Sequence, residues 1–106
     1  MRIGIDIMGG DFAPLETTLG CIQALSALPE SVRLVLIGDR NQIIPILEKN
    51  NIDESAVELV HASEVIAFTD SPTKAFSQKP DASLSVGFRL LKEKRIDAFA
   101  SAGNVE

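Results

Sequence analysis

The sequence predicts an α/β protein, a three-layer α/β/α arrangement with a mostly parallel sheet between helices. Short apolar, β-branched runs alternate with longer stretches whose apolar residues recur every three or four positions. Those two patterns separate buried strands from amphipathic helices. All five aromatic residues are Phe, so Leu, Ile, Val and Ala must fill most of the core, as in sheets buried on both faces. Strands alternating with helices imply right-handed crossovers, with helices on both faces of the sheet. Ligands then collect beyond the carboxyl ends of the strands.

Arg2 to Ile7 reads as the first buried strand, running into Gly9 and Gly10. Pro14 suits the first turn of a helix, where its missing N–H is not needed. Leu15, Leu19, Ile22, Leu25 and Leu28 then form one apolar stripe that ends at Pro29. Arg33 to Ile37 is the second strand, closed by Gly38 and Asp39, with Asp39 a helix cap. Ile43, Ile44, Ile46 and Leu47 mark a shorter helix, which accommodates Pro45 if it begins near Asn41. Val57 to Val60 is the third strand, and Ala62 to Phe68 stays open between strand and loop. Thr69 to Pro72 form a turn or cap cluster, residues 73–78 a short helix and Lys79 to Asp81 a break. Leu84, Val86, Phe88 and Leu91 predict a long helix from about Ala82 to Lys94, and Asp97 to Ala100 a fourth strand. A helix should follow that strand's loop, yet Glu106 comes first. Residues 1–106 therefore read as the N-terminal part of a single larger α/β catalytic domain.

The formal net charge of -5 argues against general nucleic-acid binding, which needs a basic footprint. Charge is uneven: residues 74–95 hold 6 basic and 2 acidic side chains, against 4 and 11 in residues 1–73. Such a cluster is ordinarily the solvated side of a helix. Cys21 is the single cysteine, so an intrachain disulfide is excluded, which fits a reducing cytoplasm. No uncharged run approaches the roughly 20 residues that span a bilayer, and no basic leader precedes an apolar segment, so a soluble chain is expected.

Two loops carry the candidate chemistry. In Met8, Gly9, Gly10, Asp11 the glycines let a ligand approach the main chain, and Asp6 and Asp11 put carboxylates at the mouth. Asp11 capping a helix is the plainer reading of that residue, and Asp6 bracing the loop from within is the plainer reading of Asp6. Ser101, Ala102, Gly103, Asn104 offer a hydroxyl, an amide and a close backbone approach, suited to gripping a phosphate or polarising a carbonyl. Both loops follow strands, so both belong at one sheet edge. His61 is expected to be a hydrogen-bonded structural residue and Cys21 a buried inert thiol; no residues have metal-ligand spacing. Ile3, Gly4, Ile5, Asp6 followed by Gly9, Gly10 is also similar to the phosphate loop of sugar kinases and actin-like ATPases. That family continues through a hairpin into an antiparallel strand.

Met8, Gly9, Gly10, Asp11 with Ala13 and Pro14, then Val35 to Asp39, His61 to Ile66, and Ser101, Ala102, Gly103, Asn104, in this order and spacing, resemble the bacterial phosphate acyltransferases of phospholipid synthesis. The likeness runs the length of the chain and covers about the first third of a typical member. It implies a Rossmann-like, isopropylmalate-dehydrogenase-like sheet. It also implies a dimeric, cytoplasmic enzyme, peripherally associated with the membrane, that moves a fatty acyl group from acyl carrier protein to inorganic phosphate without a cofactor. The acyl phosphate would feed a membrane glycerol-3-phosphate acyltransferase. On this resemblance Asp11, Ser101 and Asn104 are the catalytic candidates, and Gly9, Gly10, Gly103 and Ser83 hold the phosphate or the thioester carbonyl. Phe12 departs from the family, in which many members carry His there. The alternatives are the phosphate-loop kinase and a non-catalytic assembly module.

Overall fold

The computed structural model describes residues 1–10, 12–63 and 82–101. Four strands, β1 (Arg2–Asp6), β2 (Arg33–Gly38), β3 (Glu58–His61) and β4 (Ala98–Ala100), form one sheet in the order β3-β2-β1-β4. Every neighbouring pair is parallel, with Ile5 opposite Leu36 on one side and Ala100 on the other. Among the described residues, three α-helices pack on it: α1 (Leu15–Leu25), α2 (Arg40–Lys49) and α3 (Ser83–Lys92). The expected α/β/α layering is what the chain adopts. The segments proposed between Glu64 and Asp81 lie outside the described residues.

β2 is the core strand because consecutive side chains face opposite layers, and both layers are covered. Leu34 and Leu36 join Ile7, Cys21, Ile43, Leu47 and Val57 under α1 and α2. Val35 and Ile37 join Ala62, Val86, Leu90 and Ile96 under α3. Each fully buried Leu, Ile or Val contributes about 1.5–3 kcal/mol relative to exposure, so this strand is the chief source of cohesion.

Asp39 caps α2 as expected, its side chain accepting from the Asn41 amide. With that cap the helix starts at Arg40, beside the expected Asn41, and runs through Pro45 to Lys49, one residue shorter than α1. The expected apolar stripe of α1 departs at its first residue, and that of α3 is rotated. In α1, Leu15 is 51% exposed, whereas Thr18 and Cys21 are buried and Ile22 and Leu25 pack on the core. Thr17 meets the chain leaving β1, its Oγ1 2.5 Å from the Ile7 carbonyl, and this turns Leu15 outward. In α3, Leu84 and Val86 are buried as expected, but Phe88 and Leu91 are exposed, at 44% and 38%. The line that meets the sheet is Ser83, Val86, Gly87 and Leu90, a spacing of three and four residues. Gly87 explains the choice: a Cβ there would lie 2.2 Å from the Phe99 ring, so the helix rests its bare glycine on that ring.

Candidate functional site

Parallel pairing of β1 with β4 sets their carboxyl ends side by side. With Ile5 opposite Ala100, the next residues are Asp6 and Ser101. Asp6 follows the alternation of β1 onto the α3 side of the sheet, where it is 4% exposed. A buried carboxylate must be hydrogen-bonded to persist. Asp6 Oδ1 accepts the Ser83 hydroxyl from the first residue of α3 and the Met8 amide at 3.1 Å, while Oδ2 accepts the Ser101 hydroxyl at 2.6 Å. One carboxylate thus ties the first loop, the start of α3 and the end of β4. The α3 N-terminus also favours a negative charge beside it.

The turn after β1 closes on the same residue. The Gly9 amide reaches the Asp6 carbonyl at 3.5 Å, and Gly10 takes φ 94°, a left-handed conformation that glycine adopts without a Cβ penalty. Gly9, Gly10, Ser83 and Ser101 therefore sit around the rim that Asp6 organises. Asp11, Gly103 and Asn104 lie outside the described residues. Asp6 braces the loop through Met8, and its hydrogen bonds to Ser83 and Ser101 are not among the expectations from the sequence. Their signal in the sequence is a carboxylate in strand register between Ile5 and Ile7 on an otherwise buried strand.

A groove of about 450 Å³ opens on the α1 side of this rim. Its lining is mainly apolar, with Ile5, Cys21, Ala24, Leu34 and Ala100, and includes Asp6 and Ser101. Burial pushes the Cys21 thiol up to about 11, so at neutral pH it is protonated and inert, as expected of it. His61 is structural too: its Nδ1 accepts the Arg40 amide at 3.1 Å, beside the α2 cap. Among the described residues, no group of three or more His, Cys, Asp or Glu side chains is placed to hold a metal ion. No helix among them is long and apolar enough to cross a membrane.

A parallel sheet with helices on both faces, and a polar cluster where two strand ends meet, defines an α/β protein with a candidate site at the carboxyl edge. The chain belongs to the family described as fatty acid synthesis protein, whose model matches residues 1–105. It is similar to the phosphate acyltransferase of Acetivibrio thermocellus, with 48% identity over 104 residues, 98% of this chain and 30% of that protein. The phosphate acyltransferases of Dictyoglomus turgidum and Clostridium tetani are 41% and 42% identical over 98% of this chain, and 30% and 31% of their lengths are covered. The chain thus spans about a third of the length of these curated relatives. The phosphate-loop kinase alternative is not favoured: it required a hairpin after the first loop, whereas α1 intervenes and β2 runs parallel to β1.

Proposed function

We propose that this chain supplies the amino-terminal part of the catalytic domain of a phosphate acyltransferase, which moves a fatty acyl group from an acyl carrier protein thioester to inorganic phosphate. The observation that carries this reading is the joining of the Met8–Gly10 turn, Ser83 and Ser101 through Asp6 at one sheet rim. Relatives named phosphate acyltransferase supply the direction.

Phosphate can attack a thioester without a covalent enzyme intermediate, so the protein's task is alignment and stabilisation of the tetrahedral oxyanion. The backbone of Gly9, Gly10 and Gly103, with Ser101 and Asn104, binds phosphate or the thioester carbonyl. Asp11 orients these groups or holds a proton. The Ser101 hydroxyl gives its hydrogen to Asp6, which fixes its orientation at the rim. A homodimer, peripheral membrane association and delivery of acyl phosphate to a membrane glycerol-3-phosphate acyltransferase complete the proposal.

The test is thioester-dependent phosphate consumption by a polypeptide of the relatives' full length that carries this chain, comparing carrier-protein and coenzyme A thioesters. Acyl phosphate formation that falls sharply in Asn104→Ala, at nearly unchanged melting temperature, is the expected result. No acyl phosphate with either thioester would defeat the reading; a stable dimer in that case would favour an assembly module.

A further inference from the structure

We propose that the groove beside α1 binds the hydrocarbon tail of the acyl substrate, and that Gly20 and Ala24 set the length of chain it takes. This inference rests on the phosphate acyltransfer reading and assigns that reaction's acyl group to the α1 face of the sheet.

At about 450 Å³ the groove is of small-molecule size, and its lining is mainly aliphatic with few polar groups. Ile5, Leu34 and Ala100 come from three neighbouring strands, and Gly20, Cys21 and Ala24 from α1. The polar members ask little of a ligand. Thr17 gives its hydroxyl hydrogen to the Ile7 carbonyl, the Cys21 thiol stays protonated, and the Asp6 carboxylate is engaged by Ser83, Met8 and Ser101. The matching occupant is therefore mostly hydrocarbon.

Asp6 and Ser101 belong both to this lining and to the rim where the two strand ends meet, so groove and rim are continuous. An alkyl chain in the groove thus has its carbonyl end beside the Met8–Gly10 turn. Topology leaves the place to a ligand. The crossover from β3 to β4 runs through α3, and a right-handed crossover that continues past β4 in the same direction packs on the α3 face again. The next connection in a longer polypeptide does not cover the α1 face.

On α1 the wall is low. Gly20 is exposed, and no atom lies within 4 Å of a Cβ added there. Ala24, four residues on, shares that face of the helix. Each methylene taken out of water improves binding about fourfold, so chain length is read by how many methylenes the groove covers. Gly20→Leu or Ala24→Leu fills space that several of them need.

Acyl phosphate formation by a full-length polypeptide that carries this chain, measured with octanoyl, dodecanoyl and hexadecanoyl thioesters of carrier protein, tests the assignment. The unsubstituted protein is expected to favour hexadecanoyl over octanoyl thioester by at least about tenfold in kcat/KM. Gly20→Leu and Ala24→Leu should each cut that preference by about tenfold, chiefly through KM. The melting temperature of Gly20→Leu should not fall, since Leu is the better helix former and meets open space. Equal use of all three thioesters by the unsubstituted protein, or an unchanged chain-length profile in both variants, would overturn the proposal. So would a lowered melting temperature or failure to fold in both, because another part of the polypeptide would then fill the groove. Failure of the acyl-transfer reading has a different signature: no acyl phosphate from any of the thioesters, with or without the substitutions.

Discussion

Asp39 accepts the Gln42 side chain at 2.9 Å and the Asn41 amide at 3.0 Å, and these bonds favour its charged form. The Gln42 bond, followed by the amide and the nearby His61, holds the carboxyl below its ordinary value of 3.8. A carboxyl depressed by folding stabilises above its unfolded value, and that contribution is lost as pH falls through the folded one. Asp39→Ala should therefore lower the melting temperature most near neutral pH, and the gap should narrow below the ordinary carboxylate range. Parallel melting curves down to acid unfolding would show that the charge has no part in the cap. Thr18 presents the opposite case, since its Oγ1 is fully buried and has no hydrogen-bond partner among the described residues. A buried hydroxyl left unpaired costs about 1–3 kcal/mol, and Val keeps the shape without it. Thr18→Val is expected to raise stability by about 1 kcal/mol in denaturant unfolding, and a loss of that size would reveal a partner for the hydroxyl.

Glycine within a helix weakens it by about 1 kcal/mol relative to Ala, so on propensity alone both helical glycines should gain from substitution. Packing separates them. Nothing lies within 4 Å of a Cβ added at Gly20, whereas one at Gly87 would lie 2.2 Å from two Phe99 ring carbons. Phe99 has little room to retreat, because Phe88 meets it edge-on with ring centroids 5.5 Å apart. Gly20→Ala should stabilise the chain by about 0.4–1 kcal/mol, and Gly87→Ala should destabilise it by about 1–3 kcal/mol. Thermal unfolding of the two variants checks the pair, and pairing Gly87→Ala with Phe99→Leu should recover part of the loss. A stabilised Gly87→Ala would mean that α3 is free to lift from β4.

Across the molecule, one helical layer covers the sheet unevenly. α1 and α2 bury the strands from β3 to β1, and a groove lined by Ile5, Leu34, Ala100, Asp6 and Ser101 opens on that face. The relatives are about three times longer than this chain, so the rest of such a protein has a place to close the site and exclude water. Residues 1–106 by themselves should then generate no acyl phosphate from a carrier-protein thioester and inorganic phosphate, as followed by hydroxylamine trapping. Turnover by the chain alone would show that these four strands hold the whole catalytic apparatus.

The order of strands and helices was legible in the sequence because periodicity, glycine and proline act over a few residues. Asp39 could be read as a cap, and Arg33 to Ile37 as a buried strand, without knowing what lay opposite. Family membership was legible in the spacing of the Met8–Asp11 and Ser101–Asn104 loops, the likeness that the relatives bear out. Which face of α3 meets the sheet was not, since Leu84, Phe88 and Leu91 make as regular a stripe as the line that packs. Only Phe99, brought in by β4, selects the side that carries Gly87. The meeting of Asp6 with Ser83 and Ser101 likewise depends on partners 77 and 95 residues away, through pairing of the first strand with the last. Local patterns determine which elements form, and long-range packing decides which side chains those elements bring to a common edge.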